Sequence, residues 1–182
     1  PGQQFPIGVQ VIAEEDIRRS TASTIPELLS QFSGIRTRDL SGSPDVQVDM
    51  RGFGIFGDQN TLVLLDGRRI SEYEQATVNW SSIPLSVIER IEILRGSGAV
   101  LYGAGATGGT INIITKAPRR RERSALVHGG AASYDTYEAR AGGNLGGAGV
   151  ALRMHGSYVE SGGYRDNNRL RQGAAQADAR IQ

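Results

Sequence analysis

Side chains alternate along the last third of the chain, and this pattern limits its fold more than any other feature. Val150, Leu152, Met154, Gly156 and Tyr158 fall on one face of an extended segment, and Ala151, Arg153, His155 and Ser157 fall on the other. Ala175, Ala177, Ala179 and Ile181 alternate with Gln176, Asp178, Arg180 and Gln182, and Tyr137, Ala139 and Ala141 with Glu138 and Arg140. A period of two is the period of a β-strand with one apolar and one polar face. Two architectures use it: a transmembrane barrel, apolar to lipid and polar to its lumen, and a soluble sandwich with one wet face. Alternation alone leaves both open. The 25 glycines and the 38% hydrophobic content suit antiparallel strands with many turns better than a helical bundle.

The rest of the composition closes off other classes. No stretch approaches the ~20 apolar residues of a membrane-spanning helix, which says nothing against a barrel. There is no cysteine, so disulfide frameworks and thiolate metal sites are excluded. Net charge is +1, and the one dense basic run is Arg119, Arg120, Arg121 and Arg123 around Glu122. A nucleic-acid surface needs a larger basic face with stacking aromatics, so no nucleic-acid partner is expected and the run reads as a solvated linker. The chain opens Pro1-Gly2-Gln3-Gln4 without a charged-then-apolar leader.

Before that linker, short strands and short helices mix without a repeat. Gly8–Ala13 alternates like a strand, and Glu14–Arg19 reads as a short helix with acids at its positive end. Thr24-Ile25-Pro26-Glu27 predicts a capping box with Pro26 in the first turn, Leu28, Leu29 and Phe32 give that helix an apolar face, and Gly34 stops it. Val46–Arg51 reads as a strand and Gly52–Asn60 as a glycine-punctuated loop. Thr61–Leu65 reads as a buried strand that turns at Asp66-Gly67 and returns through Arg68–Ile70. Pro84–Ile88 reads as a short helix capped by Ser82, and Trp80 as structural. Arg90–Leu94 and Thr110–Thr115 alternate as strands. The expected core is Val46, Val48, Met50, Leu62, Leu64, Ile91, Ile93, Ile111 and Ile113.

Gly103-Ala104-Gly105-Ala106-Thr107-Gly108 matches the dinucleotide pattern G-x-G-x-x-G. That mechanism needs a helix directly afterwards to hold the pyrophosphate. A β-branched alternating run follows instead, so a turn between strands is expected and no nucleotide cofactor. His128 and His155 lie in alternating segments without metal-ligand spacing, and Glu72 and Glu74 lie in a polar segment; neither metal nor enzyme chemistry is expected.

Four segments, taken in order, resemble one known family. They are Val11–Ile17, Val48-Asp49-Met50-Arg51-Gly52-Phe53, Asn60–Arg69 and Ile91–Lys116. Together they resemble the plug domain of TonB-dependent outer-membrane receptors and cover most of residues 8–118. Tyr134–Tyr137 and Gly162–Arg165 resemble turns between the first barrel strands of such receptors. The resemblance implies an α+β plug domain with a small mixed β-sheet and short helices at residues 1–118. A basic linker at 119–123 and antiparallel strands of an incomplete transmembrane β-barrel at 124–182 follow.

The implied function is active uptake of a scarce nutrient such as an iron–siderophore complex, haem or cobalamin, with the plug gating the lumen of a barrel in the cell outer membrane and facing the periplasm. The implied partners are the TonB–ExbB–ExbD complex, outer-membrane lipid and a small-molecule or metal-chelate ligand. A free-standing plug-like binding module is the alternative. The outer loops of the plug would contact ligand through Arg38, Asp39, Phe56, Gly57, Asp58, Gln59, Tyr73, Glu74, Gln75 and Val78. Arg51 and Arg95, each ending a strand just before a glycine, match arginines that in the family lock the plug to barrel glutamates. The TonB-contacting motif is not seen in Pro1–Ile7, so the chain is expected to begin after it. About four barrel strands fit before Gln182, fewer than the eight of the smallest known spanning barrels, so the chain is expected to be part of a larger protein.

Overall fold

The computed structural model describes residues 4–5, 9–39, 45–71, 77–96, 105–118, 123–147, 149–162 and 169–181. They form two compact units, residues 1–115 and 116–182.

The first unit is built on a mixed sheet of β1 (Gln4–Phe5), β2 (Val9–Ala13), β5 (Thr61–Leu65), β6 (Arg68–Arg69), β7 (Ile88–Arg95) and β8 (Gly109–Thr115), in the order β1-β2-β7-β8-β5-β6. Only β5 and β8 pair in parallel among these strands. Helices α1 (Glu14–Arg19) and α2 (Ile25–Ser30) follow β2. Acids Glu14, Glu15 and Asp16 occupy the first turn of α1, and Arg18 and Arg19 the last, which complements the helix dipole. In α2 the Thr24 hydroxyl oxygen accepts the Glu27 N–H at 3.3 Å. Glu27 reaches back one residue further than expected, accepting the Ser23 N–H at 2.7 Å.

The β5–β6 hairpin turns at Asp66 and Gly67, with φ of 49° and 78°. Two successive positive φ values match the twist of the flanking strands, and Gly at the second position carries its value without strain. The Asp66 carboxylate accepts the Thr115 N–H and hydroxyl, each at 2.8 Å, and so ties this turn to the end of β8.

Alternation on β7 and β8 sends Ile91, Ile93, Ile111 and Ile113 to one face of the sheet. There they meet Ile12, Ile17, Ile25, Leu28 and Leu29 from β2 and the two helices. Each such side chain contributes about 1.5–3 kcal/mol on leaving water. Leu62 and Leu64 point to the opposite face, where they pack with Ala106, while Val63 between them joins the main core. Eight of the nine expected core residues are buried; Val46 is only half-buried, because it precedes the strand and presents its carbonyl to Trp80.

Three local expectations need correction. Ile35–Arg38 forms β3, which pairs antiparallel with β4 (Gln47–Met50) as a separate two-stranded sheet, so Arg38 ends a strand rather than lying in a loop. Residues 52–60 are not an open loop: a single 3-10 turn, Gly54–Phe56, leads into α3 (Gly57–Asn60). Ser82 does not cap the helical turn Leu85–Val87; it ends the turn Trp80–Ser82, which Asn79 caps by accepting the Ser82 N–H at 3.2 Å.

The second unit is an antiparallel meander of β9 (Arg123–Ala132), β10 (Thr136–Gly146), β11 (Val150–Ser161) and β12 (Leu170–Ile181). Register decides which residues share a face. Tyr158 stands opposite Ala139 and Gly173, Gly156 opposite Ala141 and Ala175, and Leu152 opposite Leu145 and Ala179. On β9 the same face continues through Val127 and Ala125. The apolar phases of all four strands thus coincide. The opposite face carries Glu138, Arg140, Arg153 and His155, with His128 and Arg140 both bonded to Glu138 at 2.8 and 2.7 Å. Leu126, exposed, is an apolar exception on that polar face. Gly142 stands opposite His155, and a Cβ there would lie 2.9 Å from the imidazole Nδ1, so the glycine leaves room for the ring.

Candidate functional site

Described residues next to the segments expected to contact ligand are bonded to β4 and the residues just before it. All four of its residues are buried, including the polar Gln47 and Asp49. Asp49 through its carboxylate and Gln47 through its amide nitrogen hold neighbouring backbone. The Asp49 carboxylate accepts the Phe53 N–H at 2.9 Å and the Gly54 N–H at 2.8 Å. Those bonds stabilise a tight turn in which Arg51, Gly52 and Gly54 have φ of 70°, 79° and 66°. Gln47 Nε2 donates to the Ile55 carbonyl at 3.0 Å, and Asn60 Nδ2 donates to the Phe56 carbonyl at 2.9 Å. With its backbone fixed from below, the segment turns Phe53, Ile55 and Phe56 outward, 37%, 66% and 50% exposed.

Trp80 and Ser81, which follow the segment carrying Tyr73, Glu74, Gln75 and Val78, are bound at the same place. Trp80 Nε1 donates to the Val46 carbonyl at 3.0 Å, and the Ser81 N–H and hydroxyl both donate to Asp45 Oδ1 at 2.8 Å. The register pairs Arg38 with Gln47, which brings the first loop to this strand as well. Asp45, Val46 and Gln47 therefore bind the roots of all three segments.

The individual residues fare differently. Arg38, Asp39 and Phe56 are exposed around this hub, and Asp58 and Gln59 are partly buried beside it. Gly57 is buried against Asp49, where a Cβ would come within 2.7 Å of the aspartate Cβ; it shapes the turn and presents no surface. Val78 must be corrected: it is buried in the main core with Trp80, so it cannot offer its side chain to a ligand. Tyr73, Glu74 and Gln75 lie outside the described residues. Phe53 and Arg36, not among the residues expected, are also exposed here: Arg36 pairs with Asp49, whose carboxylate accepts the Phe53 N–H at 2.9 Å, a link with no signature in the local sequence.

Two tests follow from this geometry. Gly57→Ala is expected to cost about 1–3 kcal/mol, the usual range for overpacking a filled site, and the shift in urea midpoint measures it. The second test concerns Asp58. Burial pushes its carboxyl above the ordinary value of 3.8, with help from the Asp49 charge and against the hydrogen bonds from Gln47 and the Val48 backbone. A raised folded value means that the folded state holds the proton more tightly. Stability from Asp58 is thus greatest below the ordinary value and declines as pH rises from there through the folded value. Urea titrations of wild type and Asp58→Asn should agree near the acid end and diverge toward neutral pH, with the variant more stable. A constant difference across pH would refute this.

The glycine-rich turn has a steric role. Gly108 donates its N–H to the Asn60 carbonyl at 2.8 Å, and a Cβ on Gly108 would lie 2.8 Å from the Met50 carbonyl oxygen. A Cβ on Gly109 would lie 2.5 Å from Met50 Cε. The turn runs directly into β8, a strand, rather than into a helix. Gly103 and Ala104 lie outside the described residues. Among the described residues no group of three or more His, Asp or Glu side chains could hold a metal ion.

The family model of the TonB-dependent receptor plug domain matches residues 1–110. This chain belongs to that family. The chain is 38% identical over 130 residues to the vitamin B12 transporter BtuB of Vibrio cholerae, covering 71% of this chain and 21% of that protein. The ferric enterobactin receptor PirA of Pseudomonas aeruginosa is 36% identical over 135 residues, covering 66% of this chain and 18% of that one. The crystal structure of the siderophore receptor PirA from Pseudomonas aeruginosa superposes with a TM-score of 0.70 at 33% identity, covering 99% of this chain and 33% of that chain. The chain thus spans about a fifth of the length of these curated relatives. The similar proteins are transporters and receptors rather than enzymes.

Proposed function

We propose that this chain is the plug and first barrel strands of a receptor that takes up a scarce nutrient across the outer membrane, driven through TonB by ExbB and ExbD. One observation carries the reading: a plug fold is followed in the same chain by a meander whose four strands put their apolar phases on one face. That face meets lipid, and the face with Glu138, Arg140 and His155 lines the lumen. Tyr137 and Tyr158, near one end of the apolar band, belong to an interfacial girdle. A free-standing plug-like module would have no use for such a face. The domain limits proposed are residues 1–118 for the plug, 119–123 for a basic linker and 124–182 for barrel strands, with the last linker residue, Arg123, already the first residue of β9.

The ligand meets the plug at the surface rooted on β4, through Arg38, Asp39, Phe56, Asp58 and Gln59, and Tyr73, Glu74 and Gln75 are proposed as further contacts. Paired residues of a sheet share a face, so Arg36 and Arg38 leave β3 on the side where Asp49 and Gln47 hold the 53–58 turn. Two exposed arginines beside an exposed apolar crest suit a ligand that is both anionic and aromatic. That favours a ferric catecholate-type chelate over a corrinoid, whose amide-covered surface has little use for paired cations. Arg51 and Arg95 lock the plug by pairing with carboxylates of the barrel wall.

Binding of a synthetic ferric tris-catecholate and of cyanocobalamin to the complete receptor tests this. Tight binding of the ferric chelate is expected, with Arg36→Gln/Arg38→Gln and Ile55→Ser/Phe56→Ser each weakening it roughly tenfold, equivalent to about 1.4 kcal/mol of lost contact. Cyanocobalamin binding with no response to the ferric chelate would refute the ligand class. Uptake that persists without TonB would refute the energised mechanism.

A further inference from the structure

Arg51 follows β4 and Arg95 ends β7, each directly before a glycine of positive φ: Gly52 at 79° and Gly96 at 103°. The side chains cross. A Cβ on Gly34 would lie 3.0 Å from Arg95 Nη1, and a Cβ on Gly96 would lie 3.3 Å from Arg51 Nη2. The Gly34 carbonyl also accepts the Arg51 backbone N–H at 3.3 Å. Each guanidinium therefore lies over the glycine that adjoins the other arginine's backbone. Arg95 Nη2 donates to Gln10 Oε1 at 2.6 Å, which fixes its reach from the side of β2. Both arginines are exposed, and among the described residues no carboxylate pairs with either. Like charges held close together disfavour one another unless an anion is shared.

We propose that Gly34 and Gly96 are positioning residues: their missing side chains are the seats that hold Arg95 and Arg51 together as a paired, solvent-facing dication for carboxylates supplied from outside the plug. This rests on the locking role proposed above for the two arginines. The alternative is that both glycines serve only their backbone, since φ at Gly34 is 79° and only glycine adopts such values freely. Gly67 separates the two ideas. Its φ is 78°, but nothing lies within 4 Å of where its Cβ would be. Alanine at Gly34 or at Gly67 meets the same backbone strain; only at Gly34 does it also meet a guanidinium. An arginine end is flexible, so the methyl group displaces the guanidinium and leaves the strand in place.

The 182-residue chain, 15N-labelled at arginine and held in detergent micelles, reads this directly. Nε–Hε resonances are assigned by Arg51→Lys and Arg95→Lys. Gly34→Ala is expected to shift or broaden the Arg95 signal, and Gly96→Ala the Arg51 signal, while Gly67→Ala leaves both in place. If Gly34→Ala leaves the Arg95 signal where it was, or Gly67→Ala moves it equally, the proposal is overturned.

A second arm uses the complete receptor in cells, reading sensitivity to a large hydrophilic antibiotic. Gly34→Ala and Gly96→Ala are expected to reproduce the leak of Arg95→Ala and Arg51→Ala. Leak in the arginine variants without leak in the glycine variants overturns the seat. If the arginine variants themselves do not leak while their resonances respond as expected, the seat stands and the locking reading fails.

Discussion

Cut after Lys116, the plug is expected to be a monomer in detergent-free buffer, whereas the 182-residue chain associates or needs detergent. The reason is the apolar face of the meander. Val127, Leu145, Val150, Met154, Tyr158 and Ile181 are between 46% and 85% exposed and lie on that one face. Covering a large apolar side chain returns about 1.5–3 kcal/mol, so six of them offer on the order of 10 kcal/mol before the entropic cost of association. β9 and β12 also end the four-stranded sheet, and open edges recruit further strands. The plug has much less such need: its core isoleucines and leucines cover one another, and among its described residues the exposed large apolar side chains are confined to Phe53, Ile55 and Phe56. Light scattering with and without detergent distinguishes the two chains. A clean monomer of the long chain, with β9–β12 as protected from hydrogen exchange as the plug, would remove the barrel reading of residues 124–182.

Trp80→Ala is expected to be the most damaging single substitution in the plug, at about 3–5 kcal/mol. Trp80 is 2% exposed, lies in the main core, and donates to the Val46 carbonyl. Its loss empties a large volume and frees the start of β4, on which the proposed ligand surface is rooted. Trp80→Phe keeps most of the ring and should lose mainly the hydrogen bond, about 1 kcal/mol. Urea denaturation of the plug measures both. Equal costs for the two variants would mean that the indole N–H, rather than the ring volume, holds this corner.

Much of this was legible from residues near one another in the chain. Ile91, Ile93, Ile111 and Ile113 announce their strands by spacing, Thr24 and Pro26 announce a helix start, and Asp66-Gly67 announces a hairpin. In each case the signal is a side-chain period or a φ preference, both local quantities. The site was less legible. Val78 looks like part of a polar loop, yet the next residues lead to Trp80, and burying that indole carries Val78 into the core with it. Gly57 looks like a surface loop glycine, but it is where α3 rests on Asp49.

The sequence by itself determined the strand periods, the principal turns, most of the core and the family, because these follow from patterns a few residues long and from motifs in fixed order. Tertiary structure alone decided three things. It decided that Gln47 and Asp49 are buried and hold the 53–58 turn, since hydrogen bonds from a strand to a later loop have no local signature. It decided that the apolar phases of β9–β12 coincide, since a shift of one residue in register would have turned any one strand over. It decided that Arg51 and Arg95 cross over Gly96 and Gly34, because the folding of the sheet, not the order of the chain, makes those four residues neighbours.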